Sequence, residues 1–121
     1  TDEAQVYLWG KAFDLITIEI ENVSVAALKR LAAEGVTVYP QPEIIELIQD
    51  KRKQKTFYKA NRIPTADFVL TESAAEVKKL ADWLPAVNKL GKEGYDGRGV
   101  QMLRTTVDLD KAFDKPGLVE K

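Results

Sequence analysis

Asp14-Leu15-Ile16-Thr17-Ile18-Glu19-Ile20-Glu21 alternates strictly between apolar and other residues around its isoleucines. Ile16, Ile18 and Ile20 fall on one face of an extended chain, with Leu15, Thr17, Glu19 and Glu21 on the other, which predicts a β-strand. Ser24 follows as a helix N-cap, Leu28 and Leu31 recur at helical spacing, and Gly35 suits a C-terminal stop. Val36 to Tyr39 then reads as a short buried strand. Strand, helix and strand within about 25 residues form a βαβ unit, which implies a parallel sheet.

Outward from this unit, Ala4 to Lys11 reads as a short helix. Pro40 and Pro42 punctuate the chain, and Ile44, Ile45, Leu47 and Ile48 give the next segment an apolar helical stripe. A basic run, Lys51 to Lys55, precedes a helix over Thr56–Asn61. We place the domain boundary near residues 40–50, with residues 1–42 in a first domain, 43–64 a helical linker and 65–121 a second domain. In the second, Phe68–Leu70 reads as a strand, and Ser73 with Glu76 as a capping box. Pro85–Leu90 and Val100–Arg104 form a hairpin around a glycine-rich turn. A short helix over Val107–Phe113 and a strand from Leu118 follow. The class expected is α/β, a parallel unit followed by an α+β unit.

The 121 residues are 45% hydrophobic and 31% charged, enough apolar material for a packed core. A net charge of −1 gives no global pull toward nucleic acid. There is no cysteine, so disulfides and thiolate metal sites are excluded, and no histidine, so Ser-His-Asp and Cys-His catalysis are excluded too. No apolar run approaches the about 20 residues that span a bilayer, and Thr1-Asp2-Glu3 has no signal character. A cytoplasmic location with no membrane partner is expected. The chain does not open on methionine, and Gly117–Lys121 reads as a strand in mid-course, so both ends read as cut.

Chemistry falls to carboxylates, lysines, arginines, tyrosines and backbone. The densest signal is Lys89-Leu90-Gly91-Lys92-Glu93-Gly94-Tyr95-Asp96-Gly97-Arg98-Gly99, with four glycines in the nine residues from Gly91. Glycines let a backbone approach a ligand closely and cradle phosphate with N–H groups, and Lys89 and Arg98 add positive charge. Composition alone leaves a phosphate cradle and a plain long turn equally open. Glu19 and Glu21 lie toward the C-terminal end of their strand, where open α/β sheets bind ligands, although by themselves they read as solvent-facing acids. Lys51 to Lys55 reads as a solvated helix face. Trp9, Trp83, Phe57 and Phe68 read as core.

In order, Thr-Ile-Glu-Ile-Glu (17–21), Pro-Gln-Pro-Glu (40–43), Gln-Asp-Lys-Arg-Lys-Gln-Lys (49–55), Ile-Pro-Thr-Ala (63–66) and Lys89 followed by Tyr95-Asp-Gly-Arg-Gly99 resemble the 5-(carboxyamino)imidazole ribonucleotide synthase family of ATP-grasp enzymes. The resemblance runs over essentially the whole chain. It implies the second half of a pre-ATP-grasp parallel-sheet domain, then most of an ATP-lid subdomain, as an internal fragment truncated at both ends. It implies ATP, 5-aminoimidazole ribonucleotide and bicarbonate as small-molecule partners, with carboxyphosphate as intermediate. Lys51 and Lys89 resemble the basic residues on ATP phosphates. Gly94, Tyr95, Asp96, Gly97, Arg98, Gly99 and Val100 match the loop over them, and Glu120 and Lys121 begin the strand that reads adenine. Glu19, with Glu21 as the alternative, resembles the acid facing the imidazole ribonucleotide. Tyr95, Asp96 and Arg98 are the catalytic candidates, facing the bicarbonate-derived group.

Magnesium is implied, with its ligands outside these 121 residues. So are a homodimeric parent, an inactive isolated fragment, and self-association through exposed sheet edges. Glu93 stands where the family usually has glycine, and Val100 where it commonly has glutamine. Other ATP-grasp enzymes (a formate-dependent glycinamide ribonucleotide transformylase, a biotin-type carboxylase) and a non-catalytic nucleotide-binding or interaction module remain the alternatives.

Overall fold

The computed structural model describes residues 2–94 and 97–121 and divides into two compact units, Thr1–Gln49 and Asp50–Lys121. The stretch 43–64 expected as a linker is shared between them. Asp50 caps a new helix by accepting from the Arg52 N–H at 3.0 Å, so the chain breaks just ahead of that cap.

In the first unit, α1 (Glu3–Gly10) leads into β1 (Leu15–Thr17), α2 (Val25–Ala33), β2 (Thr37–Tyr39) and α3 (Pro42–Ile48). β1 and β2 pair in parallel, with Ile16 opposite Val38, as the βαβ reading requires. Ser24 caps α2 by accepting from the Ala27 N–H at 3.2 Å. The buried stripe of α2 is Ala27, Leu28 and Leu31, of which the two leucines pack with Ile16, Val38 and Ile45, and a fully buried leucine contributes about 1.5–3 kcal/mol.

The strand expected over 14–21 stops at Thr17. Ile18 still donates to the Tyr39 carbonyl at 3.0 Å, but β2 ends there and Pro40 has no N–H to continue the ladder. Glu19 and Ile20 therefore leave the sheet, and Ile20 is 68% exposed instead of facing the core. Trp9 and Phe57, expected in the core, are 62% and 41% exposed.

The second unit contains α4 (Lys51–Ala60), β3 (Phe68–Thr71), α5 (Ala74–Lys78), β4 (Ala86–Leu90), β5 (Val100–Leu103), a 3₁₀ helix (Thr106–Lys111) and β6 (Gly117–Glu120). The basic run and the expected helix over Thr56–Asn61 merge into the single helix α4. The sheet order is β3-β6-β4-β5, all pairs antiparallel, so β6, last in sequence, is interior. Val77, Ala86, Leu103, Leu109 and Val119 form the core on one face. Asn88 is buried there and satisfied, donating to Leu118 O and accepting from the Phe113 N–H.

The capping box expected at Ser73 and Glu76 is not formed. The Ser73 side chain makes no cap bond, and Glu76 accepts instead from the Glu72 N–H at 2.9 Å. A capping box sits at Thr105 and Asp108, where Asp108 accepts from the Arg104 and Thr105 N–H groups. This diverts Arg104 from the ladder and ends β5 at Leu103.

Hydrogen bonds from Lys111 and from those two N–H groups hold the Asp108 carboxyl well below the usual aspartate range. A depressed folded-state value stabilises the fold above the ordinary aspartate value of 3.8, and that stability is lost as pH falls through the folded value. Thermal unfolding of wild type should therefore show acid destabilisation below about pH 4, and Asp108→Asn should make that loss shallower by removing one of its contributors. Equal acid slopes for the two proteins would contradict the assignment.

Candidate functional site

The sequence of β4 and β5 fixes the site. Between them the turn is closed by Leu90 N–H donating to Gly99 O at 2.9 Å. Its two limbs touch where Gly94 and Gly99 meet. Gly99 has φ +74°, and a β-carbon added there would lie 2.8 Å from Gly94 Cα. No side chain fits that crossing, so both glycines are required by contact, and Gly99 by its left-handed conformation as well.

Lys51, the first residue of α4, is fastened to the same turn twice. Its N–H donates to Gly91 O at 2.8 Å, and its ammonium donates to Gly94 O at 3.1 Å. The loop carbonyl thus holds one cation at the turn. Gly97 and Arg98 lie further round the turn, and both are exposed. Tyr95 and Asp96 lie outside the described residues. Glu93, at φ +66°, points outward to Lys115 at 2.9 Å, so its charge is matched by Lys115.

Lys89 comes from β4. The register sets it opposite Val100 on β5 and Leu118 on β6, and sets Val87 opposite Met102 and Glu120. Across β3, Phe68 faces Glu120 and Leu70 faces Leu118. One sheet face therefore carries Lys89 and Glu120 among Val100, Met102 and Leu70, which are 44%, 44% and 39% exposed.

Lys89 donates to Glu120, and Lys55 of α4 reaches the other oxygen of the same carboxylate at 2.6 Å. The Lys55 and Glu120 side chains are each 12% exposed and that of Lys89 27%. Burial pushes the Glu120 carboxyl up, but the hydrogen bonds from Lys55 and Lys89 outweigh it and leave the carboxyl below the usual glutamate range. Lys121 extends the strand, its ammonium 5.5 Å from the Trp83 ring centroid and its N–H donating to Asp67 O.

Sequence reasoning missed Lys55. Reading 51–55 as a solvated face is corrected on this point: Lys51 and Lys55 are four apart, share one side of α4, and turn to the loop and to β6. The signal available was that i,i+4 spacing itself. Arg52 is likewise engaged, pairing with Glu72.

A cleft of about 330 Å³ lies beside the turn, bounded by Asp50, Arg52, Gly91, Glu93, Lys115 and Pro116. Lys51 and Lys89 do not line it. The sheet face bearing Lys89 is the better candidate, because there the loop, two cations and exposed apolar surface converge. Among the described residues no three of His, Cys, Asp and Glu gather as a metal-ligand set.

Glu19 and Glu21 belong to the first unit. Glu19 is exposed just past the C-terminal end of β1, and Glu21 is half-buried with its carbonyl accepting from Gln49 Nε2 at 2.6 Å.

Comparison with known proteins agrees with this architecture. A ribonucleotide synthetase pre-ATP-grasp domain matches residues 1–49, and an ATP-grasp domain matches 56–120. N5-carboxyaminoimidazole ribonucleotide synthase of Pseudomonas aeruginosa is 37% identical over 108 residues, covering 88% of this chain and 30% of that protein. Carboxyaminoimidazole ribonucleotide synthase from Aspergillus clavatus, complexed with ATP, aligns at TM-score 0.88 and 30% identity over 99% of this chain and 33% of its own. The same organism's enzyme with ADP and 5-aminoimidazole ribonucleotide aligns at 0.84 and 27% identity over 100% of this chain and 33% of its own. The chain spans about a third of the length of these relatives. The ATP-grasp match takes in more than half of the sequence, with the glycine-rich hairpin and Lys89 inside it, and the chain belongs to the ATP-grasp family.

Proposed function

We propose that the full-length protein is an ATP-dependent ligase that carboxylates 5-aminoimidazole ribonucleotide with bicarbonate, and that the second unit described above forms a lid over ATP. The observation that carries this reading is the convergence of Lys51, Lys89 and the glycine-rich turn at one edge of an exposed apolar sheet face. Cations suit phosphates and the apolar face suits a purine ring, and relatives with this fold were crystallised with ATP, or with ADP and 5-aminoimidazole ribonucleotide.

In this scheme a bicarbonate oxygen attacks the γ-phosphorus, ADP leaves, and carboxyphosphate forms. The substrate amine then attacks the carbonyl carbon and phosphate departs. Phosphoryl transfer needs charge neutralisation and alignment more than covalent help. Lys51 and Lys89 supply positive charge at the phosphates, and the N–H groups from Gly94 to Val100 line the loop over them. Glu120 and Lys121 lie on the strand beside the purine. Arg98, with Tyr95 and Asp96, faces the bicarbonate-derived group. Glu19, or Glu21 in its place, faces the imidazole ribonucleotide. Magnesium, when bound, would add charge neutralisation through residues other than those described. A closed loop keeps water from the acyl phosphate. The full-length protein acts as a homodimer in the cytoplasm.

Phosphate release with magnesium and ATP tests the reading on the full-length protein. Stimulation that requires both 5-aminoimidazole ribonucleotide and bicarbonate is expected. No stimulation, or stimulation by formate with glycinamide ribonucleotide, would sink the carboxylation step.

A further inference from the structure

Two ammonium groups share one carboxylate on the sheet face. Lys55 and Lys89 both contact Glu120, leaving an excess positive charge among side chains that are mostly withdrawn from water. Such an excess is costly unless an anion offsets it. The two lysines are held very differently. Lys55 also donates to Thr65 Oγ1 at 2.5 Å and to Ala66 O at 3.4 Å, and lies 5.6 Å from the Phe68 ring centroid. Lys89, on the strand beside the glycine-rich turn, is the more exposed of the pair.

We infer that Lys55 is a positioning residue for nucleotide binding: it keeps Glu120 neutralised so that Lys89 can exchange the Glu120 carboxylate for a phosphate oxygen. The Glu120 carboxylate is the anion that a phosphate oxygen would replace at Lys89. With Lys55 in place, the departure of Lys89 leaves Glu120 still paired. Without it, phosphate binding would strip a largely buried carboxylate of its last counter-charge, and Lys89 would stay with Glu120. Lys55 thus acts through Lys89 and touches no substrate atom. This inference rests on the ATP reading above.

Calorimetric titration of the full-length protein with ATP and with adenosine tests it. Lys55→Met should weaken ATP binding about ten-fold while leaving adenosine affinity unchanged, and Lys55→Arg should restore ATP affinity. Equal losses for ATP and adenosine would reveal a merely structural role and overturn the proposal, as would an unchanged ATP affinity in Lys55→Met. Lys89→Ala separates the two readings. If Lys89→Ala weakens ATP binding and Lys55→Met does not, only the positioning role falls. If neither substitution matters, the ATP reading falls with it. Should Lys55→Met not fold, lysine Nζ resonances of the wild-type protein carry the same test. ATP should shift the Lys89 signal and leave that of Lys55 in place, and movement of both would overturn the proposal.

Discussion

Gly117→Ala should lower the stability of the second unit by about 3 kcal/mol, the upper range for inserting atoms where no space exists. Gly117 opens β6 and is paired with Thr71 on one side and Leu90 on the other. A β-carbon there would stand 2.2 Å from the Lys89 carbonyl oxygen and 3.2 Å from its carbon. Those are backbone atoms of a neighbouring strand, so no flexible side chain can swing aside to make room. Either β4 and β6 separate, losing ladder hydrogen bonds, or the register shifts and carries Lys89 with it. Urea unfolding should show a lower midpoint at unchanged slope. A midpoint equal to wild type would mean that the two strands are not as close as described. Because Lys89 is the residue struck, a folded remnant of this variant should also bind nucleotide poorly.

Lys89→Ala should raise the dissociation constant for ATP ten- to a hundred-fold, equivalent to about 1–3 kcal/mol, the scale of a charge-assisted contact to phosphate. Two features set the size. The ammonium sits 27% exposed on a strand, so its charge is only partly screened, and its exposed neighbours on the sheet, Val100 and Met102, offer no substitute cation. Adenosine, which lacks phosphates, should bind the variant as it binds wild type. Unchanged ATP affinity would remove Lys89 from the phosphate site and return the glycine-rich hairpin to the status of a long turn.

The sequence was most informative where local chemistry and tertiary structure ask for the same thing. Ser24, Leu28, Leu31 and Gly35 mark the start, buried stripe and end of α2, and the parallel pairing of β1 and β2 follows from that helix lying between them. The glycine-rich hairpin was legible for the same reason, since Gly94 and Gly99 must be glycine for the loop limbs to touch. Alternation misled over Ile18 to Glu21, because a strand lasts only as long as its partner and Tyr39–Pro40 ends that partner early. Ser73 misled because the Glu76 N–H, which its hydroxyl was expected to accept, donates to the Ser73 backbone carbonyl instead, and the Glu76 carboxylate accepts from the Glu72 N–H rather than from Ser73. Lys55 was hidden for a longer-range reason. Its role exists only when β6 lies beside β4 and brings Glu120 next to Lys89, a juxtaposition of residues far apart in sequence. A run of cations with nearby acids is indistinguishable, in sequence, from a solvated face.

The interior position of β6 constrains the order of events on the ribosome. β3, α5 and the β4–β5 hairpin all emerge before Gly117 does, yet β3 bonds to the rest of the sheet only through β6. Until Gly117–Glu120 clears the exit tunnel, β3 and β4 each present an unpaired edge, the kind of edge that recruits other strands. Closure of the sheet therefore has to wait, and β6 closes two open edges and delivers the Glu120 carboxylate between the two lysines in the same event.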